Sequence, residues 1–173
     1  MHRTSATSLL LLNLATAAPA IVFPDSLKDL FTMTLEPNNT VIFTAIAPAN
    51  NKTTPVLSQQ DPPLPITWHL CTGQAIDIID WESARSSFCA FCDAGGMIPR
   101  NGKVVFKVNH AVAYGCSAGG DNPCSTTELM WFTHWLDDKC GFGMAGMADM
   151  QDWAKRYGRG LAGDQVCRGV RGG

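Results

Sequence analysis

Residues 115–141 read GCSAGGDNPCSTTELMWFTHWLDDKCG: a glycine-rich loop, then a stretch long enough for a helix of about four turns, punctuated by three cysteines. Ser125 and Glu128 have the spacing of a capping box, in which each side chain satisfies an orphan backbone N–H at the helix start. Cys124 just before the cap and Leu129 within the helix have the spacing of a hydrophobic staple. Gly141 follows Cys140 where a C-terminal cap favours glycine. Leu129, Phe132, Leu136 and Cys140 recur at the helical period and mark the buried stripe. The length of the helix sets a constraint on the cysteines. At 1.5 Å per residue Cys124 and Cys140 lie roughly 24 Å apart, whereas a disulfide needs Cα atoms within about 7 Å. They cannot bond each other, so the helix must tie two separate regions together.

The chain holds seven cysteines: Cys71, Cys89, Cys92, Cys116, Cys124, Cys140 and Cys167. Residues 1–20 read as a signal peptide, with Arg3, the apolar run Leu9 to Leu14 and a small-residue cleavage site at Ala15-Thr16-Ala17 or Ala18-Pro19-Ala20. Secretion makes a disulfide framework the expectation. An odd count leaves one thiol unpaired or joined to a second copy in a covalent dimer. The mature chain keeps 12 of the 13 Lys and Arg against 15 Asp and Glu. This balance implies no global attraction to nucleic acid or to an anionic membrane. No segment is long and apolar enough for a transmembrane helix.

Outward from the central stretch, Leu30 to Leu35 and Val41 to Ala47 read as a strand pair around Glu36-Pro37-Asn38-Asn39. Asn38 and Asn51 are glycosylation acceptors in expected turns. Residues 48–65 hold five prolines and no periodicity, a linker or long surface loop. The division expected is therefore 21–65, hairpin and proline-rich loop, and 66–173, the cysteine-rich domain. Asp77 caps an expected helix from Ile78 to Cys92, with Trp81, Ala84, Phe88, Phe91 and Cys92 at helical spacing. Asn101-Gly102 predicts a hairpin turn between Met97-Ile98 and one long strand. In that strand Val104, Phe106, Val108, His110, Val112, Tyr114 and Cys116 would share a face. After the central helix come a short strand Phe142 to Met147, a short helix capped by Asp149 with Trp153 and Tyr157 one turn apart, and a last strand at Val166-Cys167. This order predicts an α+β fold, a disulfide-stapled sandwich of a mostly antiparallel sheet with two main helices and one short helix.

Candidate chemistry is sparse. Cys89-Ala-Phe-Cys92 has the spacing of redox dithiols and zinc half-sites, but lacks the βαβ context of the first and the second close pair of the second. It reads as two structural disulfides to separate partners, with no metal and no cofactor implied. A small ribonuclease-like hydrolase could be assembled from His69, Glu82, His110 and His134, but GxSxG, HExxH and phosphate-loop motifs are absent. His110 is expected to be a core histidine. Trp131 and Trp135 lie one turn apart and off the apolar stripe, either a broad buried arc or an aromatic contact surface for a protein or sugar. Lys155, Arg156, Arg159, Arg168 and Arg171 against Asp164 make a local basic cluster, a solvated face or an anion contact. Lys155-Arg156 is also dibasic, but its place inside an expected helix argues against cleavage.

Taken together, the signal, CAFC, CSAGGDNPCSTTEL…CG and WAKRYGRGLAG…C resemble small cysteine-rich secreted fungal proteins of the killer-toxin-like and necrosis-inducing effector-like kind. The resemblance covers about 100 residues. It implies a stapled α/β sandwich that acts outside the cell by binding an extracellular protein or cell-wall glycan, without an enzymatic site. The contact residues expected are Trp131, Trp135, Lys155, Arg156 and Arg159; a secreted hydrolase and a carbohydrate-binding module are the alternatives.

Overall fold

The computed structural model describes residues 31–36, 40–45 and 64–168. The signal segment 1–20, the glycosylation candidates Asn38 and Asn51, the proline-rich stretch up to residue 63 and Arg171 lie outside the described residues. Nine strands, two helices and a 3-10 turn are described: β1 (Phe31–Glu36), β2 (Thr40–Ala45), β3 (Trp68–Ala75), α1 (Ile78–Asp93), β4 (Met97–Ile98), β5 (Lys103–Val108), β6 (Ala111–Ser117), β7 (Asn122–Pro123), α2 (Thr126–Cys140), β8 (Met144–Met150), the turn Gln151–Trp153, and β9 (Lys155–Leu161). Seven strands form one sheet in the order β1-β2-β5-β6-β9-β8-β3, and β4 and β7 form a second, two-stranded sheet. Within the large sheet only β2 and β5 run parallel. The first strand pair is thus part of the same sheet as the cysteine-rich region. The fold is α+β.

Both helices cover one face. α1 packs on β5 and β6, α2 on β8 and β3. Their apolar stripes meet the inward residues of the sheet in a core where Phe43, Phe88, Phe91 and Phe106 contact one another. Trp81, Leu129, Phe132 and Leu136 complete it. The helix starts follow the sequence. Asp77 accepts from Ile79 N and Asp80 N at 2.9 and 3.0 Å, and Ser125 accepts from Glu128 N at 3.1 Å. Gly141 closes α2 at φ +95°, a conformation a side chain would resist. Glu128, expected to complete a capping box, sends its carboxylate to β9 instead.

The disulfides are Cys71–Cys140, Cys92–Cys124 and Cys116–Cys167. Helix α2 is therefore fastened at its start to the end of α1 and at its end to β3, as its length required. The unpaired cysteine is Cys89, so only Cys92 of CAFC forms a bridge, where two were expected.

Four local expectations are corrected. Residues 103–117 are not one long strand but the hairpin β5–β6, turning at Asn109, whose φ is +45°. Asparagine tolerates the left-handed region better than most side chains, so Asn109-His110 makes a tight turn without glycine. The turn places Val108 opposite Ala111, so Val112, Tyr114 and Cys116 face away from the helices and His110 is exposed at the tip. The turn at Asn101-Gly102 exists, but Met97-Ile98 pairs with β7 rather than β5. Residues 149–158 form no α-helix, only the 3-10 turn Gln151–Trp153: Asp149 lies inside β8, Ala154 at φ +49° stops the turn, and Lys155 starts a central strand. Val166 and Cys167 lie in a turn, not a strand.

Candidate functional site

Strand β9 takes three residues of the C-terminal basic cluster off the surface, while Arg168 stays exposed. Lys155, Arg156 and Arg159 are 3, 2 and 2 % exposed. Strand alternation sends Lys155, Tyr157 and Arg159 toward the helices and Arg156 to the other face. Lys155 Nζ donates to Glu128 Oε2 at 2.8 Å and to Pro123 O at 2.6 Å. Arg159 donates to Met144 O and Gly141 O, covering the carbonyl end of α2, and its Nη1 lies 2.6 Å from Asp137 Oδ1 in an ionic contact without hydrogen-bond alignment. The spacing is matched. Nine helical residues from Glu128 to Asp137 span about 13.5 Å, and four strand residues from Lys155 to Arg159 span about 13 Å. On the other face Arg156 grips both oxygens of Asp149, donates to Arg168 O at 2.7 Å and lies 5.6 Å beneath the ring of Trp68. These three residues, expected to contact a partner, hold the sheet to its coverings. Lys155-Arg156 is shielded from cleavage by burial in a strand, not by a helix.

Tyr157 donates to the same Glu128 oxygen at 2.6 Å. Burial, and then the Glu128 charge beside it, push its hydroxyl well above the usual tyrosine range. Burial likewise raises the Cys89 thiol. A buried thiol held protonated is a poor nucleophile, so Cys89 reads as a small core residue. Among the described residues no group of three or more His, Cys, Asp or Glu is arranged to hold a metal.

The histidines do not assemble. His69 on β3 is in one transverse row with Ala148, Tyr157 and Gly115. His110 is three strands away and five residues along β6, a separation of about 20 Å. His134 is exposed on α2, and Glu82 pairs with Arg85 on α1. These four residues form no common cleft.

Trp131 and Trp135 are both half-buried. His69 meets Trp135 edge-on at 5.0 Å, and Lys139 lies 6.0 Å from the same ring. Trp135 thereby adjoins β3, an edge strand exposed along its whole length, TrpHisLeuCysThrGlyGlnAla, which carries no acidic or basic side chain except His69, and Trp131 lies one turn before it on α2. On its opposite face Trp68 and Leu70 are each 44 % exposed. The result is an aromatic and aliphatic rim around one sheet edge. The sequence pointed to its tryptophans but not to the strand beside them.

A second feature went unread in the sequence. On the face away from the helices, two adjoining cavities of about 630 and 430 Å³ run between the first strands and the segment 161–168. Both are lined by Thr40, Lys103, Asp164 and Val166. The alternation Lys103, Val105, Lys107 was the available signal; it marked a partly wet face but not a groove. No family model matches the chain, no curated protein matches it, and no solved structure matches it.

Proposed function

We propose that this chain is a secreted, non-enzymatic binding protein of the effector or toxin type, acting on a host or competitor target outside the cell. Three disulfides suit an oxidising, extracellular setting. The observation that carries the reading is the rim at β3: an uncharged, fully exposed edge strand flanked by Trp135 and His69 on one face and Trp68 and Leu70 on the other. Such an edge offers unpaired backbone groups to an extended segment, while half-exposed aromatics supply contact area with little entropy to lose. The partner engages α2 and β3 together, and Cys71–Cys140 holds those two elements in fixed relation. The separated histidines give the hydrolase alternative no comparable support.

The test is capture of targets from host extracellular extract and from cell-wall glycans by the immobilised protein. The wild type should retain a specific extracellular protein. Trp131→Ala with Trp135→Ala should lose it, and so should Leu70→Asp, which changes an exposed side chain and leaves the melting temperature within a few degrees. Retention by Leu70→Asp equal to wild type would remove the rim from the reading.

A further inference from the structure

We infer that the groove on the open face of the sheet is a second binding site, for a linear oligosaccharide bearing carboxylates. Its floor is aliphatic: Ile42, Val105 and Val112, on three adjacent strands. Lys103 and Lys107 stand on either side of Val105, four residues and about 13 Å apart. Both are half-buried, and among the described residues neither has an ion-pair partner. Beside them in register stand Thr40 and Thr44, and Glu36 of β1, opposite Thr40, lines the same cavity. Asp164, Gln165 and Arg168 form the opposite wall.

That wall is built in place. The Cys116–Cys167 bridge, the bond from Ala162 N to His110 O at 2.8 Å, and the bond from Arg156 Nη1 to Arg168 O fasten it to β6 and β9. Asp164 also accepts from Leu161 N at 2.8 Å. A groove held this way loses little entropy when a ligand enters.

The chemistry of the lining selects the ligand. Two unpaired ammonium groups would be left uncompensated by an apolar ligand, at a desolvation cost. Single-stranded nucleic acid requires aromatic platforms for its bases, and no aromatic ring lines either cavity. An acidic sugar chain fits the excess of cations, Lys103, Lys107 and Arg168 against Glu36 and Asp164. Its carboxylates meet Lys103 and Lys107, and its hydroxyls meet Thr34, Thr44, Gln165 and the carboxylates of Glu36 and Asp164. The aliphatic floor receives its C–H faces. Each of the two adjoining cavities, about 630 and 430 Å³, is within the roughly 300–1,000 Å³ of ordinary ligand pockets, which suits a ligand of several sugar units.

This site is independent of the rim, which lies at the other edge of the sheet. Calorimetric titration of the full-length protein with hexagalacturonate, its methyl ester and cellohexaose tests it. The acid should bind in low salt and weaken as salt rises, while the ester and cellohexaose bind at least about tenfold more weakly. Lys103→Gln with Lys107→Gln should weaken the acid by about tenfold or more, with an unchanged melting curve. Trp131→Ala should leave it unchanged. Absence of binding by the acid, equal binding of its ester, or full affinity in the double lysine variant would each overturn the inference. Loss of binding in Trp131→Ala alone would move the sugar to the rim.

Discussion

Strands β5 and β9 flank β6 on either side and each carries two cations four residues apart on one face, Lys103 and Lys107 against Lys155 and Arg159, yet the two sets have opposite fates. On β9, Lys155, Arg156 and Arg159 are buried against Glu128, Asp149 and Asp137. On β5, Lys103 and Lys107 remain half-exposed and unpaired among the described residues. The difference does not lie in the strands themselves. It lies in carboxylates delivered by α2 and β8, which reach β9 and not β5. A buried cation is stable only where such partners and further acceptors meet it, because desolvation otherwise exceeds the Coulombic gain. The paired set therefore reports architecture, and the unpaired set marks a surface available to a ligand.

Asp149 is where this contrast is easiest to break. Its side chain, 9 % exposed, is held by Arg156 through both oxygens. Asp149→Ala leaves a guanidinium buried without its anion, and urea unfolding should show a loss of about 3–5 kcal/mol. A loss below about 1 kcal/mol, the range of a surface pair, would mean that β9 is no more structural than β5.

Gly158 sharpens the contrast on the same strand. A Cβ there would run into the ring of the buried Tyr114, which covers the strand from the open face. Gly158→Ala must displace that ring and should cost about 1–3 kcal/mol by chemical denaturation, the usual range for overpacking. Gly120, where a Cβ would meet nothing within 4 Å, serves as the near-neutral control.

What could be read in advance follows from how local the signals are. Helix α2 carries a cap at Ser125, glycine at 141 and a 3.6-residue stripe, all within 17 residues, so its place and its disulfide constraint were both legible. Strand β3 was invisible because period-2 alternation needs one buried face, and β3 is exposed on both. Strand β9 read as a helix because Trp153 and Tyr157 are four residues apart and Lys155 and Arg156 favour helices. Only tertiary partners far along the chain override that preference. The β5–β6 turn was hidden by Asn109-His110, which lacks the usual glycine and does not interrupt the alternation of the sequence. The same non-locality hid the groove, whose walls come from β1, β2, β5, β6 and the segment 161–168.

Tyr157 provides a pH-dependent probe of the β9 side. Its folded pKa is raised above the unfolded value near 10, so its stabilising contribution is complete below that pH. As pH rises past about 10 the unfolded chain releases the tyrosine proton and the folded chain keeps it, so stability falls by up to about 1.4 kcal/mol per pH unit for this group. Tyr157→Phe should flatten that part of the alkaline decline in urea midpoints measured between about pH 9 and 11. An identical slope in the two proteins would place the hydroxyl in an ordinary solvated environment.

The smallest effect is expected on β5, and its smallness is informative. Lys103→Gln and Lys107→Gln remove charges with no anionic partner among the described residues, while the side-chain stems that cover Val105 are retained in part. Surface substitutions of this kind shift stability by less than about 0.5 kcal/mol. A small gain would be consistent with relief of repulsion between the two ammonium groups, since about 13 Å of separation is only slightly beyond the screening length near 0.1 M salt. A loss of about 2 kcal/mol or more, the desolvation cost of a disrupted buried network, would show that these lysines have structural partners. They would then belong with the cations of β9, and the division between a paired and a ligand-facing strand would fail.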